Sequence, residues 1–253
     1  MLQLGTSACG ATALVNALAA LEVDFPLPLL LEAVATRQRR PDAPLPDYLL
    51  SRARAGCSHR DLAAAAARVT PRILTRFFPF HRRAVGVAAW LARWIAAGCV
   101  PILTLNVQRA VLRPGDTPAD AWHHQMVWGV ADREVYLANP LEVVQERELV
   151  PQLDSPSELL VRRADVVARC EPATDLLQLR DFGEDWRRMN VLGQVVNLLR
   201  EERREVREEG PAAVTSHLRI PADYAAGATL CCLLDHAEAA RRLREAPELP
   251  LRK

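Results

Sequence analysis

The chain has 253 residues, half of which are hydrophobic, and its formal net charge is +1. This length suits one large domain or two small ones, and the hydrophobic content suffices for a sizeable core. The near-neutral charge gives no reason to expect a nucleic acid as a partner. The sequence lacks an apolar run of about eighteen residues, so we predict no membrane-spanning helix.

The cysteines form no CxxC pair and follow no regular spacing: Cys9, Cys57, Cys99, Cys170, Cys231 and Cys232. We therefore expect reduced thiols, as in a cytoplasmic or nuclear protein. The start of the chain does not have the basic and apolar regions of a signal peptide, so we expect that the protein is not secreted. The cysteines and histidines also lack the spacings of zinc sites, so we expect no bound metal. We expect no cofactor either.

The first part of the chain is predicted to be helical, with helices at residues 9–21, 27–38, 47–56 and 58–69. Ser58 is suited to cap the last of these helices. Asp61 follows it at the position that a capping box uses.

The sequence next predicts a strand, a helix, a buried strand and a loop at residues 72–80, 84–98, 99–107 and 108–121. The clearest β signal is a hairpin, in which WHHQMVWGV (122–130) and EVYLANP (134–140) flank a turn at 131–133. Helices followed by strands indicate an α+β fold.

The character of the sequence changes near residue 170. Residues 155–170 are predicted as a strand or a helix, 186–210 as an amphipathic helix, and 216–246 as a strand, a loop and a terminal helix. We therefore predict a domain at 1–170 and a helical or mixed extension at 171–253. This extension could cover the first domain or recruit a protein partner.

A cysteine occupies the first turn of the first predicted helix, in the segment QLGTSACGATALVNAL. The positive end of a helix dipole favours the thiolate form, so Cys9 is a candidate nucleophile. Taken alone, Cys9 fits a buried structural thiol better than a nucleophile, and only its combination with the groups below favours catalysis.

The hairpin supplies the other groups that thiol chemistry needs. Its two strands bring their outer ends together, which makes His123 and Asn139 neighbours. A histidine base needs a third group to fix its tautomer, and the side-chain carbonyl of Asn139 can serve. Gln3 can stabilise an oxyanion with its side-chain amide, beside the backbone N–H of Cys9.

These two segments resemble the active-site motifs of papain-like cysteine peptidases, and they are closest to the branch that processes bacteriocin precursors at double-glycine leaders. The resemblance covers about residues 1–165. It implies a papain-like α+β fold, in which N-terminal helices carry Cys9 and an antiparallel sheet carries His123 and Asn139. It assigns Gln3 to the oxyanion, Cys9 to nucleophilic attack, His123 to the base and Asn139 to orienting that base.

The chain departs from the branch at two places. The third residue of the triad is usually aspartate there, whereas Asn139 is the papain-type choice. Two adjacent histidines also occur, and only one of them can face the cysteine. The distance to Gly129 favours His123, and His124 stays open as an alternative base.

The sequence thus predicts a cysteine peptidase-like hydrolase that cleaves a peptide or isopeptide bond through a thioester. Its expected partner is a protein or peptide substrate, with no nucleic acid and no membrane. Two alternatives are an amidase or acyltransferase on the same fold, and a catalytically inactive papain-like fold that binds a protein.

Overall fold

The computed structural model describes residues 7–110, 122–207 and 215–252, without the side chains of 205–207. These residues form two compact units. The first unit contains residues 7–37, 56–110, 122–156 and 224–252, and the second contains residues 38–55, 157–207 and 215–223. Among the described residues, no helix combines the length and the apolar character needed to cross a membrane.

The secondary structure mixes helices and strands along the whole chain. The strands are β1 (Ile73–Pro79), β2 (Val100–Asn106), β3 (Trp122–Ala131), β4 (Glu134–Ala138), β5 (Glu142–Gln145), β6 (Glu158–Arg162), β7 (His217–Pro221) and β8 (Gly227–Leu233). The helices are α1 (Cys9–Ala20), α2 (Leu27–Ala33), α3 (Leu45–Arg54), α4 (His59–Val69), α5 (Val87–Ala96), α6 (Glu146–Leu153), α7 (Arg163–Val167), α8 (Glu184–Arg188), α9 (Val191–Arg207) and α10 (Ala237–Glu245).

The first unit is an α+β arrangement around an antiparallel sheet. In the described part of the chain this sheet has six strands, in the order β1–β8–β2–β3–β4–β5. The predicted hairpin is confirmed as β3 and β4, with Val130 opposite Val135 near the turn. The start of β3 and the end of β4 therefore lie at the same end of the sheet.

The two faces of this sheet carry separate hydrophobic clusters. Side chains alternate between faces along a strand, so Met126 and Val127 on β3 belong to different clusters. Residues of α1, α2 and α4 pack in the cluster that includes Met126. Residues of α5, α6 and α10 pack in the cluster that includes Val127. The start of α1 is thus held against β3 by a buried apolar face.

The predicted cap of α4 is confirmed. The Ser58 hydroxyl accepts a hydrogen bond from the Asp61 backbone N–H, and the Asp61 carboxylate accepts one from the Ser58 backbone N–H at 2.7 Å. Two of the N–H groups that a helix start leaves unpaired are satisfied in this way. This cap fixes the direction of the chain just after Cys57.

Other predicted elements differ from the structure. The helix predicted at 27–38 ends at Ala33. The helix predicted at 186–210 is divided into α8 and α9 by Asn190, which has a left-handed φ of 50°. Strand β5 and helix α6 are found in addition to the predicted elements. The β5 segment EVVQ has only four residues, too few for a periodic signal.

The C-terminal segment contributes to the sheet of the first unit. Strand β8 lies between β1 and β2, with Cys231 opposite Thr75 on one side and Val100 on the other. The predicted division of the chain at residue 170 differs from this arrangement, because the pairing of β8 joins residues 224–252 to the first unit.

The second unit is built on a two-stranded antiparallel sheet of β6 and β7. Helices α3 and α9 pack against β7. The side chain of Gln194 on α9 continues the strand pairing, since its amide donates to the Arg219 carbonyl and accepts from the Arg219 N–H, both at 3.0 Å. The exposed backbone edge of β7 is thereby partly satisfied.

Candidate active site

Cys9 is the first residue of α1 and is 9% exposed. The preceding residue, Ala8, has no side chain that could cap the helix, and the first turn carries no acidic residue. The Gly10 backbone N–H interacts with the Cys9 sulfur instead. A thiol at this place experiences the unpaired N–H groups of the helix start, which favour negative charge.

The structure brings His123 to this sulfur. The imidazole lies close enough to the Cys9 side chain to shift its pKa, and the backbone N–H of the next residue, His124, also interacts with the sulfur. The other side of the His123 ring is held by the Asn139 backbone carbonyl, 2.8 Å from Nε2. Since a carbonyl only accepts, Nε2 carries a proton and Nδ1 is left for the sulfur.

The charges of Cys9 and His123 stabilise each other. Burial alone would raise the pKa of Cys9, but the hydrogen bond from His123 and the charge of its ring lower that pKa below the ordinary value. Burial would likewise lower the pKa of His123, but Cys9 and the Asn139 carbonyl raise it above the ordinary value. Both shifts favour a thiolate beside an imidazolium.

Asn139 contacts His123 through its backbone, whereas we expected its side-chain carbonyl. The residue follows the end of β4 and adopts a left-handed φ of 72°, a conformation that asparagine tolerates better than most residues. Its side-chain Nδ2 is buried without a hydrogen-bond partner among the described residues. The contact to the imidazole thus depends on the turn of the main chain after β4.

His124 lies in the interior, and both of its ring nitrogens are engaged. Nε2 lies 2.7 Å from the Cys57 carbonyl and must donate to it, so Nδ1 accepts from the Thr104 hydroxyl at 3.2 Å. Burial lowers the pKa of His124 to about 4. This histidine is neutral near neutral pH and links β3 to β2 and to the segment before α4.

Gln3, the residue predicted to stabilise the oxyanion, lies outside the described residues. Its role stays a prediction. The donors near the sulfur that the structure describes are the backbone N–H groups of Gly10 and His124.

Sequence reasoning missed the residues that support the start of α1. A Cβ on Gly10 would overlap the Cys57 sulfur and would lie 3.2 Å from Cδ2 of His124. Helix α1 can therefore approach Cys57 and His124 this closely only with glycine at position 10. The CG pair in the first motif was the available signal, but its partner Cys57 is distant in sequence.

Aromatic residues flank the same region. The rings of Trp122 and Tyr224 are stacked, with centroids 5.6 Å apart. A Cβ on Gly56 would overlap the Tyr224 hydroxyl, so glycine is required there as well. Within the described ranges, no group of three or more histidine, cysteine or acidic side chains is arranged to hold a metal ion.

Comparisons with known proteins do not assign the chain to a family. No protein-family model matches the chain, and no curated protein matches it. Among solved structures, a crystal structure of a presumptive C39-like peptidase from Bacillus anthracis matches with a TM-score of 0.40 and 14% sequence identity. The match covers 60% of this chain and 87% of that one. A likeness at this level gives no information on the chemistry of the site.

The contact between Gly10 and Cys57 generates a test. Gly10→Ala should move the start of α1. A thiol-directed electrophile should then label Cys9 roughly tenfold or more slowly, because small displacements of a reacting group strongly reduce its rate. Cys57→Ala in the same chain should restore most of the rate, since it removes the overlapping sulfur.

Circular dichroism of each variant would establish that it is folded. A folded Gly10→Ala protein that labels at the wild-type rate would contradict this account of the helix start. A double variant that stays as slow as Gly10→Ala would contradict the role given to Cys57.

The contact between His123 and Asn139 generates a second test. Asn139→Gly removes the side chain but keeps the carbonyl and tolerates the left-handed φ, so the labelling rate of Cys9 should stay within about threefold of wild type. Asn139→Ala should lower the stability by about 1–2 kcal/mol through its unfavourable φ. A tenfold or greater loss of rate in folded Asn139→Gly would instead assign the orienting role to the side chain.

Proposed function

We propose that this chain is a papain-like thiol hydrolase that cleaves a peptide or isopeptide bond through a covalent thioester. The observation that carries the proposal is the placement of His123 beside Cys9, with Nε2 of His123 held by the Asn139 carbonyl. A nucleophile, a base and a group that orients the base are the parts that acyl transfer requires.

The proposed reaction begins with the thiolate of Cys9. It attacks the substrate carbonyl carbon, and the resulting oxyanion is stabilised by the Cys9 backbone N–H, which has no partner within the helix. Gln3 is proposed as the second donor. His123 then gives its proton to the leaving amine, which leaves an acyl thioester on Cys9.

The second half of the proposed reaction releases the acid. The neutral His123 accepts a proton from a water molecule, and the hydroxide attacks the thioester carbonyl. The carbon–sulfur bond breaks, and the product leaves as a carboxylic acid. The thiolate and the imidazolium are restored together. His123 thus acts once as an acid, in its protonated state, and once as a base, in its neutral state, in each turnover.

The proposal is tested by labelling the protein with a peptide-like electrophile across a range of pH, with mass spectrometry to locate the label. In wild type, Cys9 should react at a lower pH than an ordinary cysteine, because its pKa is lowered. In His123→Ala the reaction should shift towards the ordinary range and slow by roughly tenfold or more near neutral pH.

Two controls make the result specific. Cys170 is a half-buried thiol whose pKa is raised by burial, so it provides a reference within the same chain. His124→Gln removes the other histidine, and its labelling should keep the low-pH profile as long as the protein is folded. If Cys9 reacts no faster than Cys170, and His123→Ala changes nothing, the chain is not a thiol hydrolase and a protein-binding role takes its place.

A further inference from the structure

Among the described residues, no acidic side chain is hydrogen-bonded to His123. The Asn139 carbonyl that accepts from His123 is neutral, whereas an imidazolium is stabilised best by a nearby carboxylate. Three residues after Asn139, the chain starts β5 with Glu142. The sequence analysis assigned no role to this residue.

The sheet register places Glu142 on the same face as His123. His123, Gln125 and Val127 alternate along β3 and share one face. Val127 lies opposite Leu137 on β4, and Leu137 lies opposite Glu142 on β5. Side chains directly opposite each other in neighbouring strands point to the same face.

The Glu142 carboxylate is fixed in this position by Gln125. Gln125 is 2% exposed, and its Nε2 donates to Oε1 of Glu142 at 2.6 Å. The surrounding side chains hold the buried Gln125 amide in one orientation. Its hydrogen bond therefore restricts the orientation of the exposed Glu142 carboxylate. Gln125 is also two residues from His123 on the same face of β3, and the charge of Glu142 contributes to raising the pKa of His123.

Groups on three neighbouring elements bear on the charge of His123, whereas β2 presents Leu105 opposite it. Cys9 faces it from α1, the Asn139 carbonyl from β4, and the charge of Glu142 from β5. On β3 itself, His124 is the adjacent titratable group, and it is neutral near neutral pH because burial lowers its pKa to about 4. The thiolate is consumed when the substrate is attacked, whereas the glutamate keeps its charge.

We propose that Glu142, oriented by Gln125, is a positioning residue that keeps His123 protonated until the leaving group accepts the proton. This inference rests on the proposed thiol hydrolase function. The glutamate acts through the field of its charge, so the effect should be modest and should weaken in salt.

The test is an NMR titration of the His123 imidazole, assigned by comparison with His123→Ala. In Glu142→Gln the midpoint should move to lower pH, and the electrophile should label Cys9 about two- to fivefold more slowly below neutral pH. Glu142→Asp keeps the charge and should recover part of both effects. High salt should reduce the difference between wild type and Glu142→Gln.

Glu134→Gln is the matched control. Glu134 accepts from Gln145 Nε2 at 2.8 Å in a similar pair on the same sheet, so its loss should leave the His123 midpoint unchanged. An unchanged midpoint in Glu142→Gln, with rapid labelling of Cys9 in wild type, would overturn the role of Glu142 alone. Slow labelling of Cys9 in wild type would overturn the proposed function itself.

Discussion

The candidate site depends on one interaction, the mutual stabilisation of charge on the Cys9 sulfur and the His123 imidazole. Burial opposes charge on both groups. The charged pair is nevertheless favoured, because each group provides the opposite charge beside the other. The rest of the first unit acts to hold two elements in place, the start of α1 and the start of β3.

The two adjacent histidines of β3 have different roles: His123 belongs to the candidate site, and His124 supports the structure around it. His123 and His124 are adjacent on β3, but strand alternation directs one towards the sulfur and the other into the interior. His124 links Thr104 to the Cys57 carbonyl, and the Cys57 sulfur lies against Gly10. His124 and Cys57 therefore stabilise β3 and also limit how closely α1 can approach β3.

Local signals in the sequence predicted the elements that carry the site. The helix that starts at Cys9 and the hairpin that contains His123 are short-range features, and both are found. The contact of Asn139 through its backbone could not be predicted, because it depends on φ after β4. The place of β8 between β1 and β2 depends on pairing across more than half of the chain, which no local pattern encodes.

The most direct measurement is a titration of the Cys9 thiolate by its ultraviolet absorbance, taken as the difference between wild type and Cys9→Ser. If Cys9 and His123 form a charged pair, the thiolate appears at a lower pH than that of an ordinary cysteine, and its titration shifts upward in His123→Ala. A Cys9 that ionises at or above the ordinary pH, with no change in His123→Ala, would contradict the existence of the charged pair.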